Sequence, residues 1–353
     1  MAIVQPITPA ELLTVVSDPN LQIVKFKPLF TTLFFSAEAT FKTKKIMLDE
    51  LDIEGVIMAP FCSPLVGSSV QRDKGFTTRD FEPGYMKPKH SIDPSKTLIR
   101  QPGEDPAAAA SPGYRCNKLR AQALTNQTKA IKSRVEWLAV NAVTTGKNII
   151  SGENIETYEI DWGLRPGNMV TQAGSAAWSV QDPETFDPSD DLAMYAEQAT
   201  GVINVCIMGA TAWRLLRSFK KFREYFDTRR GSNSVMELAL KDLGDVVSMK
   251  GYFGELAIIV YTGKVTEKVG DELVENYYLS PELMVMGNTQ NKGLTAYGAI
   301  QDQDAIRSGM EQNAYYPKNW IEQGDPAIEY MQTHSAPQPV PININNFVTI
   351  RVA

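Results

Sequence analysis

The residues of this chain that could do chemistry are few and widely separated. Its two histidines, His90 and His334, sit in no recognisable motif. A zinc site wants several His or Cys at short intervals, so both imidazoles read as structural or surface residues. The three cysteines, Cys62, Cys116 and Cys206, form no Cys-x-x-Cys pair and read as reduced. The run Thr144-Thr145-Gly146-Lys147-Asn148 has the look of the end of a phosphate loop, but its first glycine and the hydroxyl residue after lysine are missing. A helix C-cap followed by a cation accounts for it better. Asp190-Asp191 and the pair Asp302/Asp304 could work as acid and base only if they shared a cleft; such pairs are also ordinary at caps and turns. Neither G-x-S-x-G nor G-x-G-x-x-G occurs. The expectation is no catalytic residue, no cofactor and no metal.

Charge is patterned more clearly than chemistry. Between Arg115 and Lys147 there are seven Lys/Arg and one acid, Glu136; between Arg214 and Arg230 there are seven bases and two acids. The chain as a whole carries −6, which argues against a general nucleic-acid binder. These basic stretches are either solvated faces or surfaces for acidic partners, including neighbouring copies of the chain.

The elements that must position these residues follow from periodicity. At 353 residues and 43% hydrophobic content a large core is expected. No apolar run approaches the roughly 18 residues of a membrane span, and the opening residues lack the basic start of a secretory signal. Thr8, Pro9 and Glu11 form a capping box. "LQIVKFKPLFTTLFF" (21–35) reads as an extended arm. Residues 51–105 have no helical period and are punctuated by prolines and glycines, which suggests a long hairpin or excursion packed on something else. Residues 113–146 form the longest helical pattern: Leu124, Thr128, Ile131, Val135, Leu138 and Ala142 make one buried stripe, and Arg115, Lys118, Lys129 and Lys132 fall on another side. A helix opens at "DPSDDLAMYAEQAT", a strand follows in "GVINVCIMG", and a second helix puts Ala212, Leu215, Phe219, Phe222 and Phe226 on one face. A further helix is expected over 235–244, strands over 257–265 and 282–288, and a charged hairpin between them. The order is α+β, with a first hundred residues that cannot easily bury themselves.

Six segments in this order, "FTTRDFEPGYMKPKH", "GEDPA", "FDPSDDLAMYAEQATGVINV", "WRLLRSFKKFREYFDTRRGSNS", "VMGNTQNKGLTAYGAIQDQDAIRSGM" and "YYPKNWIEQGDPA", resemble the major capsid proteins of lambda-like tailed bacteriophages, the phage major capsid protein E family. The resemblance covers nearly the whole chain. It implies an HK97-type fold: an N-terminal arm (1–50), an E-loop (51–105), a P-domain with a spine helix (106–189), an A-domain (190–325) and closing P-domain strands (326–353). It implies a head protein that self-assembles as hexamers and pentamers into an icosahedral shell, in the host cytoplasm and then in the virion. The shell would enclose double-stranded DNA without specific binding, and there is no membrane role. Implied partners are a scaffolding protein, a portal protein and a decoration protein. On this reading Arg229 and Arg230 contact an adjacent subunit, and Arg115, Lys118, Lys129 and Lys132 face the scaffold. Two other classes remain open from the residues alone: a carboxylate hydrolase, and another phage structural module such as a tail-tube protein or adhesin.

Overall fold

The computed structural model describes residues 8–9, 11–13, 28–51, 76–100, 111–152, 155–226, 246–269 and 272–352. The expected helix 235–244, Cys62, Arg229 and Arg230 lie outside them.

A six-stranded sheet forms the centre. Its order is β7 (Met169–Thr171), β18 (Val348–Arg351), β13 (Leu283–Gly287), β8 (Val205–Met208), β10 (Leu256–Tyr261) and β9 (Val247–Phe253). Strand β8, "VCIM", is apolar and buried at every position, so both faces of the sheet must be covered there. Alternation sorts the residues. Val205, Ile207, Ala257, Ile259 and Val285 point to one face, while Cys206, Met208, Ile258, Met284 and Met286 point to the other.

Three short helices cover the second face: α4 (Pro188–Gln198), α5 (Ala210–Leu216) and α6 (Lys220–Tyr225). They contribute Leu192, Tyr195, Ala212, Leu216, Phe219 and Phe222 around Trp178. The single helix expected here is broken. Ser218 Oγ donates to the Leu215 carbonyl at 2.6 Å, and the Lys220 amide turns to the Pro183 carbonyl at 2.9 Å. Within α5 itself Leu216, one turn after Ala212, is fully buried, while Leu215 is only partly buried against the same core.

The first face is covered by α3 (Pro112–Thr145), 34 residues long. Ser111 Oγ caps it and Pro112 opens it, and Gly146 closes it at φ 69°. All six members of the expected stripe, Leu124 to Ala142, are buried. A Cβ on Gly146 would lie 2.3 Å from the Leu164 Cβ, so the stop is also a close approach.

The expectation of an extended arm at 29–35 is wrong. Residues Leu29–Phe34 form a helix, α1, with Leu29, Phe30, Leu33 and Phe34 buried in the main core. Four such side chains contribute roughly 1.5–3 kcal/mol each, enough to override the β propensity of the run. Pro28 gives no side-chain cap. Instead Glu136 of α3 accepts the first-turn amides of Phe30 (2.9 Å) and Thr31 (3.0 Å) and the Thr31 hydroxyl (2.9 Å). After α1, β1 (Ala37–Thr40) pairs in parallel with β14 (Leu294–Tyr297), which pairs with β17 (Pro337–Val340). The capping box appears as read: Glu11 accepts from Thr8 N and Oγ1, and Leu12 packs on Ala123, Leu124 and Met331. Much of the early chain therefore rests on its own body.

A second three-stranded sheet joins β4 (Lys89–Ile92), β16 (Ile328–His334) and β15 (Tyr316–Glu322) beside the first half of α3. Three two-stranded ribbons complete the sheets of the described residues: β2 (Ile46–Leu51) with β3 (Phe76–Phe81), β5 (Lys147–Gly152) with β6 (Ile155–Asp161), and β11 (Lys264–Val269) with β12 (Glu272–Tyr277). The last is the expected charged hairpin.

Candidate assembly surfaces

The four bases expected on one side of α3 have different fates. Arg115 is buried, its Nη1 donating to the carbonyls of Thr97 (3.5 Å) and Leu98 (3.4 Å). Those carbonyls end α2 (Pro94–Leu98), so Arg115 ties two helices together rather than facing outward. Lys132 is half-buried; desolvation holds its ammonium below the ordinary lysine range, opposed by the charge of Glu38. Lys118 and Lys129 are exposed.

Chemistry-bearing residues are likewise committed to structure. His334 is buried, and its Nδ1 lies 2.7 Å from the Tyr85 hydroxyl, which accepts the Gln301 amide at 3.2 Å. Desolvation disfavours the charged form of the imidazole. Burial pushes its pKa down. His90 contacts the Gln127 amide at 3.1 Å. Asp302 caps α7 (Gln303–Arg307) and, with Asp304, holds Lys318. Asp191 accepts the Trp178 indole N–H at 2.8 Å. Lys147, read as a cation after a helix stop, pairs with Glu159 (2.7 Å) and Asp161 (3.4 Å). Cys206 is buried in the sheet, and desolvation raises its pKa far out of reach of neutral pH. Among the described residues no group of three or more His, Cys, Asp or Glu could hold a metal ion. No helix there is long and apolar enough to cross a membrane.

What remains on the surface is ribbon and groove. The β2–β3 and β5–β6 ribbons face each other across a groove of about 840 Å³. Arg79 Nη1 donates to the Trp162 carbonyl at 3.0 Å, Phe81 meets Trp162 edge-on at 5.4 Å, and Tyr158 donates to the Glu82 carbonyl at 3.0 Å. Lys44 and Glu82 (2.9 Å) pair along it, and Glu159 on its other wall is held by Lys147. These contacts fix the base of the first ribbon. The β11–β12 ribbon is fixed in another way. Ser133 Oγ and the Tyr278 hydroxyl are 2.5 Å apart, Arg134 pairs with Glu267 at 2.8 Å, and Tyr261 stacks on Tyr278 at 6.1 Å. Tyr261 also hydrogen-bonds Glu136. One turn of α3, Ser133 to Trp137, thus holds α1, β10 and the ribbon together. The sequence marked Glu136 only as the one acid in a basic stretch; its role depends on Phe30 and Thr31, too distant for any local pattern.

Such an arrangement, a buried core with ribbons standing off it and, among the described residues, no metal-binding cluster, suits a building block. Residues 10–352 match the family described as phage major capsid protein E. The chain belongs to that family. It is 44% identical over 347 residues to the major capsid protein of Escherichia phage N15, covering 98% of this chain and 99% of that one. Identity to the major capsid protein of Escherichia phage lambda is 44% over 335 residues, covering 95% and 96%. The crystal structure of a prophage capsid protein from E. coli CFT073 superposes with TM-score 0.84 at 58% identity, over 99% of this chain and 100% of that one. The fold is therefore the α+β capsid fold of the HK97 type, and this member of the phage major capsid protein E family is a structural protein of the virion capsid, not an enzyme.

Proposed function

We infer that the chain tiles the phage head as hexamers and pentamers, closing an icosahedral shell around double-stranded DNA. The observation that carries this is family membership over residues 10–352. The three ribbons, each paired only within itself, support it, because exposed strand edges invite addition by a neighbouring chain. On this reading 1–50 acts as the arm, 51–105 as the E-loop, 106–189 and 326–353 as the P-domain and 190–325 as the A-domain. Assembly takes place in the host cytoplasm with a separate scaffolding protein and a portal protein, and a decoration protein seats on the E-loop and arm. The net charge of −6 suits a wall that lies against DNA without gripping it, since phosphate binding needs clustered cations. Lys118 and Lys129, with Lys132 beside them, meet acidic scaffold segments; Arg229 and Arg230 form charged contacts with an adjacent subunit.

Electron microscopy of the expressed chain, alone and with neighbouring gene products, tests the whole reading. Closed shells are expected; tubes or a small compact oligomer would overturn it. Charge reversal at Lys118, Lys129 and Lys132 should lower procapsid yield, and normal yield would remove the scaffold contact. Arg229→Glu with Arg230→Glu should weaken the shell, and an unchanged shell would remove that contact.

A further inference from the structure

Two neighbouring stretches of the chain carry opposite charge. Residues 181–199 hold six acids and no base, whereas 210–226 hold five bases and one acid, Glu224. Where the two stretches touch inside the chain they pair, Lys220 with Glu184 (3.4 Å) and Lys221 with Asp187 (3.9 Å). The charges left over are exposed. On α4 the exposed residues are Asp190, Ala193, Met194 and Glu197. Steps of three and four residues put them on one stripe, with Met194, 49% exposed, between the two carboxylates. Asp191 beside them is committed to the Trp178 indole. On α5 the exposed charges are Arg214 and, one turn on at the helix end, Arg217. Among the described residues none of Asp190, Glu197, Arg214 and Arg217 has an ion-pair partner.

The two unpaired sets stand apart. Both helices cover the same face of the six-stranded sheet, but α4 packs over β18 and α5 over β10, and β13 and β8 lie between those strands. Three strand spacings of about 4.8 Å separate them by roughly 14 Å. The acidic stripe is thus carried towards the β7–β18 edge and the arginines towards the β10–β9 edge. Val180, 68% exposed, lies in the turn Trp178–Val180 that α5 touches. Each edge therefore presents charge of one sign with an apolar side chain beside it.

We propose that the Asp190/Met194/Glu197 stripe of one copy docks on the Arg214/Arg217 side of the next copy around a capsomer ring. The inference rests on the shell-subunit reading above and names a seam within it. A second copy is the occupant because one chain carries both halves of the match, opposite in sign and towards opposite edges of one layer. A contact between two different patches is head-to-tail, and such contacts close into rings when the rotation permits. Methionine and arginine are enriched at interfaces, and the two charge pairs set register and exclude a reversed neighbour.

The test uses the full chain in the expression system that yields wild-type shells. Asp190→Lys with Glu197→Lys sets like charge against like at every seam, and so does Arg214→Glu with Arg217→Glu. Each pair should lower the yield of closed shells by about tenfold or more at low salt. All four substitutions in one chain put opposite signs back together and should restore most of the yield. Normal shells from either pair alone, or no recovery in the fourfold variant, would overturn the docking; a loss confined to one pair would assign that patch to a foreign partner instead. A second measurement does not depend on reversed charges. Arg214→Lys with Arg217→Lys keeps the sign and supplies primary amines. Light and isotopically heavy chains of this variant are mixed before assembly, and the shells are treated with a carbodiimide, which condenses a carboxylate and an amine to an amide with loss of water. Peptides joined between 190–197 and 214–217 should include mixed light–heavy pairs. Only same-label pairs, or no joined peptide, would overturn the contact. If the wild-type chain builds no shell at all, the subunit reading itself falls, and the docking with it.

Discussion

Glu136 offers the sharpest test of how the fold is held. Its carboxylate is fully buried and satisfies the amides of Phe30 and Thr31, the Thr31 hydroxyl and the Tyr261 hydroxyl. Replacement by alanine leaves two backbone N–H groups with no acceptor, and both are the orphan donors of a helix start. A stranded buried donor costs roughly 1–3 kcal/mol. Two amides and the tyrosine hydroxyl, with partial relaxation, give a loss of about 3–5 kcal/mol. Glu136→Gln keeps the volume and one acceptor oxygen. The Thr31 hydroxyl can turn to accept from the new amide, but the Thr31 backbone N–H cannot, so the loss should be about 2 kcal/mol. Urea unfolding of the unassembled chain, followed by tryptophan fluorescence, measures both. Hydrogen exchange at Phe30 and Thr31 locates the damage, which should appear first in α1. Alanine costing less than about 1 kcal/mol, or glutamine costing as much as alanine, would refute the view that this carboxylate caps α1.

Further outcomes are expected. His334 is buried neutral with its pKa pushed below the usual 6.5, so the unfolded chain takes up its proton first; stability should fall as pH drops below 6.5, towards the folded-state value. His334→Gln should flatten the difference in melting temperature between pH 7 and pH 5 that remains after the carboxylates are accounted for. Gly146→Ala meets both φ 69° and the Leu164 side chain and should cost about 2 kcal/mol or more by thermal denaturation. Glu329→Ala strands Arg120, which is 3% exposed and bound to Glu329 at 2.6 Å, and should cost about 3–5 kcal/mol in the same urea assay, whereas removing the exposed pair Lys264–Glu275 should cost under about 1 kcal/mol.

Local rules carried far along this chain. The stripe from Leu124 to Ala142, the Thr8–Glu11 capping box and the Gly146 stop are each written within a few residues and found where the spacing puts them, and the charged hairpin expected between the strands at 257–265 and 282–288 is there, starting at Lys264. The surprises share one cause. "LFTTLF" coils with its four apolar side chains in the main core and its first amides on a carboxylate far along the chain. The break between α5 and α6 depends on the Pro183 carbonyl. Arg115 turns inward because Thr97 and Leu98 leave carbonyls without partners at the end of α2. Periodicity reports which side of an element is apolar; it does not report which distant group completes a hydrogen bond.

The central sheet is sheathed by helices on both sides from a single polypeptide. Among the described residues the core around this sheet is thus closed within one chain. Individual seams can then be feeble and still sum to a durable wall when many act at once. Feeble seams also reopen, so a misplaced unit can leave and return correctly before the cage seals.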